Sequence, residues 1–319
     1  MVKILISDNT HHVLAERLHE AGFEVIVEPD HDYKSLVRAA QGCDALVVRS
    51  KVLIDRAFID AVPTLRCIGR VGAGMETIDV EYAERHGVHC VNSPEGNRDA
   101  VGEHTVGLLL ALLDNIARAD AEVRHGQWRR EANRGHELGN LTVGIVGMGN
   151  MGGAFAKRLA GFGCRVMFYD KYLDSLDNLE NPYHIERVSL ETLQQESDVV
   201  SFHVPLTDET HHYLDDAFIA AMSKPFYLVN TSRGAVVDTE ALVRGLEAGK
   251  VLGAALDVLE YEDMQADGLA TGVTPPALEY LKSSPLTVLT PHVAGWTAQS
   301  KYKLAAVLAD KMIETLTQC

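Results

Sequence analysis

The stretch Leu141-Thr-Val-Gly-Ile-Val-Gly147-Met-Gly149-Asn150-Met151-Gly152, answered by Tyr169-Asp170, decides the fold. An apolar strand runs into G-x-G-x-x-G, a helical pattern follows, and a second apolar strand, Arg165 to Tyr169, ends on an acid. Gly147 permits a tight turn, Gly149 lets the backbone approach a pyrophosphate, and Gly152 lets the helix pack on the strand. The helix start offers unpaired N–H groups and a positive dipole end to phosphate. Asp170 stands 23 positions past Gly147 (170 − 147), close to the ~20 at which a ribose-binding acid is expected. Strand, helix, strand and acid in register predict a dinucleotide site. A carboxylate at Asp170 favours NAD because it repels a 2′-phosphate, although Lys171 beside it leaves room for residual NADP use.

Outward from this unit the chain alternates strand and helix patterns, the sign of parallel α/β architecture. Strands are expected at 3–7, 24–27, 45–48, 67–71 and 89–91, with helices such as 13–21 and 80–86 between them. These make a first doubly wound domain. One long helix is expected over 98–126, after the turn chemistry of Asn92-Ser-Pro-Glu-Gly-Asn97. Further strands are expected at 199–203, 226–229, 254–256 and 288–289, and a final amphipathic helix over 298–316. Asp263 to Ser284 has the character of a long irregular loop.

Composition narrows the function. The 319 residues suffice for about two domains. A net charge of −16 without a basic run argues against nucleic acid or an anionic membrane as partner. No apolar run reaches the ~18 residues of a membrane span, and the start of the chain is expected to be a first strand rather than a leader. Five scattered cysteines without C-x-x-C spacing suggest reduced thiols and a cytoplasmic protein. The pairs His11-His12 and His211-His212 lack ligand spacing, so no metal site is expected.

Three segments follow apolar strands and should lie at the carboxyl edge of the second sheet, where open α/β folds bind ligands. They are Asn230-Thr231-Ser232-Arg233-Gly-Ala, Leu256-Asp257-Val-Leu-Glu-Tyr-Glu262 and Thr290-Pro-His292-Val-Ala-Gly-Trp296. Arginine can grip a carboxylate through two parallel hydrogen bonds. Histidine can exchange a proton with a carbinol near neutral pH. A carboxylate on its other ring nitrogen would fix the tautomer. Spacing alone does not show that the three converge.

These segments, with Arg70-Val71-Gly72-Ala73-Gly74-Met-Glu-Thr-Ile-Asp79, Asn92 to Thr105 and His203-Val204-Pro205-Leu-Thr207, resemble the D-isomer-specific 2-hydroxyacid dehydrogenases over nearly the whole chain. The resemblance implies a Rossmann NAD-binding domain (99–289) inserted into a flavodoxin-like substrate domain (1–98 and 290–319). It implies His292 as acid/base, Glu262 as its partner and Arg233 as the grip on the substrate carboxylate. Besides the Gly147 loop and Asp170, it assigns His203, Val204, Pro205, Thr231, Ser232 and Asp257 to the cofactor. His203 reads equally well as a structural strand end.

Val71–Gly74 would receive the substrate carboxylate; this G-x-G lacks a third glycine and is not a second nucleotide site. Arg49, Ser50 and Arg70 resemble the 3-phosphoglycerate dehydrogenase branch, which implies a place in serine biosynthesis, with Lys51 as a further positive charge. Trp296 would help select the substrate side chain. The family usually has proline after the catalytic acid, whereas Glu262 is followed by Asp263, which weakens the phosphoglycerate reading. With no C-terminal regulatory domain expected after Cys319, no serine feedback through such a domain is expected. The alternatives are a glyoxylate or hydroxypyruvate reductase, a formate- or phosphite-type dehydrogenase, and a NAD-sensing corepressor-like scaffold. A homodimer joined through the helical segment 98–126 is the expected assembly.

Overall fold

The computed structural model describes residues 1–173, 185–263, 268–269 and 274–318. They form two compact units. Unit 1 comprises Met1–Arg98 and the stretch from Trp296 onward; unit 2 comprises Asp99–Asp263 and Gly268–Gly295. The chain thus returns to unit 1 at Trp296, six residues later than the 290 expected from sequence (296 − 290), because Thr290 to Gly295 is tied to unit 2 by the bonds described below.

Unit 1 begins β1 (Lys3–Ile6), α1 (Val13–Glu20), β2 (Glu24–Val27), α2 (Tyr33–Ala39), β3 (Ala45–Val48), α3 (Arg56–Ala61), β4 (Cys67–Arg70), α4 (Val80–Arg85) and β5 (His89–Asn92). The strands form a parallel sheet in the order β2-β1-β3-β4-β5. Alternate side chains of these strands enter opposite cores, as a doubly covered parallel sheet requires. Ile4, Ile6, Val47 and Cys67 join one cluster; Leu5, Leu46, Val48 and Ile68 join the other. Aspartates start three of the helices: the side chains of Asp32, Asp55 and Asp79 accept the backbone N–H of Ser35, Phe58 and Tyr82. Asp79 therefore serves the fold, although it closes the Arg70–Asp79 motif.

Unit 2 opens with α5 (Arg98–Leu113) and α6 (Ile116–Arg124), two helices bent by 61° rather than one. Asn115 causes the break: it adopts φ 53°, the left-handed region that asparagine tolerates better than most residues. Then follow β6 (Thr142–Val146), α7 (Asn150–Leu159), β7 (Arg165–Tyr169), β8 (Glu186–Arg187), α8 (Leu190–Glu196), β9 (Val199–Phe202), α9 (Asp216–Ala221), β10 (Phe226–Asn230), α10 (Thr239–Glu247), β11 (Val251–Leu256), β12 (Glu262–Asp263), β13 (Gly268–Leu269), α11 (Pro276–Ser283) and β14 (Thr287–Leu289). The parallel sheet runs β14-β11-β10-β9-β6-β7-β8, and its direction reverses between β6 and β9, the topological switch point of a Rossmann sheet.

The expected loop 263–284 is partly ordered as a helix. Pro276 suits a first helical turn, and Ala277, Leu278 and Leu281 bury one face. Residues 264–267 and 270–273 of that stretch lie outside the described residues.

The last helix, α12 (Ala298–Gln318), belongs to unit 1. It packs on α1, and Arg17 donates to both carboxylate oxygens of Asp310 at 2.7 Å. The turn Ser93 to Asn97 is pressed against it. A Cβ on Gly96 would lie 2.5 Å from the Leu304 backbone nitrogen, and Lys311 Nζ reaches the carbonyl of Asn92 and both oxygens of Glu95 at 2.9 Å. No single helix among the described residues is long and apolar enough to cross a membrane.

Candidate functional site

Because the strands are parallel, the segments after β6, β9, β10, β11 and β14 emerge at one edge of the unit 2 sheet. After β6, Gly147 turns at φ 90° and donates its N–H to the Tyr169 carbonyl at 2.9 Å. A Cβ on Gly147 would lie 2.6 Å from the His203 carbonyl oxygen; one on Gly152 would run into the Gly147 carbonyl oxygen. Both are backbone collisions, so the turn and the helix approach that closely only with glycine. Gly149, the residue that starts α7, faces open space and provides no side-chain cap. Met151 follows in the first turn, half-buried. An uncapped helix start with open space before it fits the phosphates of a dinucleotide.

Asp170 contributes more than its sequence position suggests. Its Oδ2 accepts Met148 N–H at 2.8 Å, and its Oδ1 accepts the N–H groups of Tyr172 and Leu173 at 2.9 and 3.0 Å. A carboxylate has roughly four lone-pair positions, so one remains, on Oδ2, for a ribose hydroxyl. The carboxylate therefore also ties the glycine loop to the end of β7. Lys171 binds Glu209 at 2.5 Å, and the Tyr172 hydroxyl donates to the same carboxylate at 2.7 Å. The cation beside Asp170 is thus already neutralised, which weakens any invitation to a 2′-phosphate.

His203 turns its ring inward beside Phe155, its Nε2 2.8 Å from Ser201 Oγ. Its Nδ1 is buried and has no hydrogen-bond partner among the described residues. Burial pushes its pKa down to about 3, so the ring stays neutral. Its carbonyl, rather than its imidazole, abuts the glycine loop, together with the Val204 side chain. Pro205 is exposed beyond it.

The three downstream segments interlock. Asn230 Oδ1 accepts the N–H of Ser232 at 3.0 Å and its hydroxyl at 2.7 Å, while Asn230 Nδ2 donates to the Arg233 carbonyl at 2.9 Å. This bends the chain between Asn230 and Arg233, and Arg233 Nη1 donates to the Ser232 carbonyl at 2.7 Å. Gly234 then meets the next segment: a Cβ there would run into the Leu259 carbonyl group. In that segment the backbone N–H of Leu259 donates to Glu262 Oε1. The other oxygen, Oε2, lies 2.7 Å from His292 Nδ1. A carboxylate accepts only, so the imidazole carries a proton on Nδ1 and presents Nε2.

Asp257, with only 1% of its side chain exposed, holds the histidine loop. Its carbonyl accepts His292 N–H at 2.7 Å. Its carboxylate accepts the Thr290 hydroxyl at 2.6 Å and the N–H groups of Val293 and Ala294 at 2.9 Å each. Burial alone would raise its pKa, but hydrogen bonds from His104, Thr290, Ala294 and Val293 outweigh it and keep the carboxyl below its ordinary value. These bonds hold His292 at φ 53°, a backbone state that costs roughly 1–3 kcal/mol outside glycine and persists only where neighbours over-determine it. His104 is the member of this network that sequence reasoning missed. It lies on α5, 186 residues from Thr290, and no local pattern links them.

In unit 1, Arg70 folds back over its own loop. Its Nη1 reaches the Val71 carbonyl at 3.4 Å and occupies the space where a Cβ on Gly72 would stand. Ala73 is fixed by Asn92 Nδ2 on its carbonyl at 2.6 Å, and Gly74 follows, half-buried. Arg49 donates its backbone N–H to Asp8 at 2.8 Å, and its guanidinium lies 5.3 Å from the Trp296 ring centroid. Ser50 follows on a half-exposed bend, and Lys51 is paired with Asp30 at 3.1 Å.

The chain is similar to known proteins over most of its length. Residues 106–294 match the model of the D-isomer specific 2-hydroxyacid dehydrogenase NAD binding domain. The chain is 37% identical over 313 residues to a glyoxylate reductase of Thermofilum pendens, covering 92% of this chain and 85% of that one. It is 34% identical to a D-3-phosphoglycerate dehydrogenase of Methanocaldococcus jannaschii, covering 99% of this chain but 58% of the relative. Among solved structures, a D-lactate dehydrogenase from Aquifex aeolicus complexed with NAD and lactic acid superposes with a TM-score of 0.81 at 26% identity, covering 99% of this chain and 94% of that one.

Proposed function

Because the chain belongs to the D-isomer-specific 2-hydroxyacid dehydrogenases, NAD-dependent oxidoreductases of CH–OH groups, we propose that it interconverts a short D-2-hydroxy acid and its 2-oxo acid. Held by the Gly147 loop and Asp170, NAD would provide the hydride chemistry at C2. His292 gives its Nε2 proton to the C2 oxygen during reduction and recovers it during oxidation. Glu262 stabilises the imidazolium and holds the ring's orientation. Arg233 grips the substrate carboxylate. The glycine loop from Gly147 to Gly152 and Asp170 hold the dinucleotide, and the one open lone pair of Asp170 takes a ribose hydroxyl. The observation that carries this reading is the 2.7 Å bond between His292 Nδ1 and Glu262 Oε2.

Unphosphorylated 2-oxo acids such as glyoxylate and hydroxypyruvate are our first choice of substrate. The three basic side chains considered for a phosphate are all engaged: Arg49 against Trp296, Arg70 against its own loop, Lys51 with Asp30. D-3-phosphoglycerate, with a place in serine biosynthesis, is the second reading. Arg49 and Arg70 favour it, because a guanidinium can grip a phosphate through parallel hydrogen bonds. We also propose a homodimer through α5 and α6, supported by the exposed apolar side chains Ile116, Val123 and Trp128. A cytoplasmic location is proposed from the thiols of Cys43, Cys90 and Cys164, none of them in a disulfide.

Initial rates with NADH and NADPH against glyoxylate, hydroxypyruvate and pyruvate, beside NAD-dependent oxidation of D-3-phosphoglycerate, test the reading. We expect NADH-dependent reduction of the short acids. His292→Asn should lower kcat by roughly 10²–10⁴-fold while NADH still binds. Tight NADH binding by the native protein with no turnover of any of these acids would overturn the reading.

A further inference from the structure

The hydrogen-bond directions around Asp257 assign a proton and a task to His104. His104 Nε2 lies 3.1 Å from Thr290 Oγ1 and 3.4 Å from Asp257 Oδ1. The Thr290 hydroxyl has one proton. It stands 2.6 Å from a carboxylate oxygen that can only accept, so that proton points at Asp257. Thr290 Oγ1 must then accept from His104, and Nε2 carries a hydrogen. The chain of donors runs His104 to Thr290 to Asp257, with His104 N–H shared between the last two.

Asp257 is also the group on which Val293 and Ala294 hang their N–H groups and whose carbonyl takes the N–H of His292. The next residue of α5 reaches a second catalytic segment. Thr105 Oγ1 donates to the Val101 carbonyl at 2.7 Å, so Thr231, 3.1 Å away and buried, donates to Thr105. One turn of α5 therefore braces the segment of Arg233 and, through Thr290 and Asp257, the loop of His292.

We propose that His104 is a positioning residue for the hydride-transfer reaction: its Nε2–H orients Thr290 and Asp257, and through them sets His292 against Glu262. The inference rests on the acid–base reading of His292. Without the donor, Thr290 Oγ1 loses the hydrogen bond it accepts, and Asp257 Oδ1 loses its longest donor while keeping those of Thr290 and Val293. The His292 loop, strained at φ 53°, then relaxes away from its catalytic geometry. Displacements of about an ångström at a reacting group cost up to ~10²-fold in rate. The loss should fall on kcat, because Arg233, the Gly147 loop and Asp170 lie outside this chain of hydrogen bonds.

The test compares His104→Leu, which keeps bulk without a donor, with His104→Gln, whose amide nitrogen can take the place of Nε2. His104→Leu should lower kcat for 2-oxo acid reduction roughly 10- to 100-fold, with KM for the acid and Kd for NADH within about threefold of wild type. His104→Gln should recover most of that loss. Thr290→Val should lower kcat as well, and the double variant His104→Leu/Thr290→Val should lose less than the product of the two, because both break the same chain. A wild-type kcat in His104→Leu, or equal loss of kcat and Tm in both His104 variants, overturns the inference. His292→Asn in the same assay separates the two failures. If it turns over normally, the acid–base reading falls. If it is dead while His104→Leu is unimpaired, this inference falls alone.

Discussion

Two loops of this protein are spelled G-x-G after a parallel strand, yet they are built for different tasks. After β6, Gly147 and Gly152 stand backbone against backbone, and the helix opened by Gly149 has no side-chain cap. After β4, the obstacle at Gly72 is a side chain, the guanidinium of Arg70, and the next helix, α4, is capped by Asp79. Both first glycines have positive φ, 90° at Gly147 and 146° at Gly72. The turn alone does not make a nucleotide site. The difference lies in what the glycine touches: main chain and an open helix start in one loop, the side chain of Arg70 in the other.

The largest expected effect breaks the first loop. Gly152→Val drives a side chain into the Gly147 carbonyl, so NADH affinity should fall by ~100-fold or more and the thermal shift produced by NADH should vanish. Gly72→Val, measured in the same titration, should bind NADH like wild type and raise KM for the 2-oxo acid by about tenfold. Equal losses of NADH binding in both variants would erase the distinction.

Next comes Asp170→Asn. It weakens the tie to Met148 and the remaining ribose contact, and charge-assisted hydrogen bonds of this kind are worth about 1.5–3 kcal/mol. NADH Kd should rise by roughly 10- to 100-fold, and the preference over NADPH should shrink. Arg70→Ala should leave both constants alone.

The smallest effect at neutral pH concerns His203. Its pKa lies at about 3 in the folded protein against an ordinary 6.5, so the unfolded chain binds the extra proton first as pH falls. Stability attributable to this group is therefore intact above pH ~6.5 and declines as pH drops toward ~3, by up to about 1.4 kcal/mol per pH unit. His203→Asn should flatten that part of the Tm-versus-pH curve. A slope unchanged by the substitution would show that the ring is not the buried neutral base described above.

What was legible in the sequence follows the same division. The Gly147 loop could be read because main-chain crowding leaves no residue but glycine, and such constraints are local. The first strand was equally open to reading, since a strand buried on both faces is written as a continuous apolar run, here Ile4-Leu5-Ile6. The convergence of Glu262 and His292 was not. It depends on β11 and β14 lying side by side, and only the family resemblance suggested it. The break at Asn115 escaped because helix-compatible residues resume directly after it, and α11 escaped because short helical patterns resemble loops. His104 escaped because its partners are distant in the chain. Asp170 was seen as a ribose ligand but not as the clasp of its own loop, since a carboxylate's bonds to main chain leave no mark in a sequence.

The position of α12 has a consequence for synthesis. One face of the β1–β5 sheet, with Ile4, Ile6, Val47 and Cys67, is closed by Ala305, Leu308, Ala309 and Met312, and the Gly69 backbone is packed so tightly there that a Cβ would lie 2.5 Å from Met312 Sδ. A ribosome adding about 5–20 residues per second must first deliver the whole of unit 2, which folds from residues already made. For those ~10–40 seconds the earliest strands wait with apolar surface uncovered. A nascent chain arrested before Ala298 would present that face to chaperones, and the newborn protein's exposure to aggregation is set by how promptly its last helix arrives.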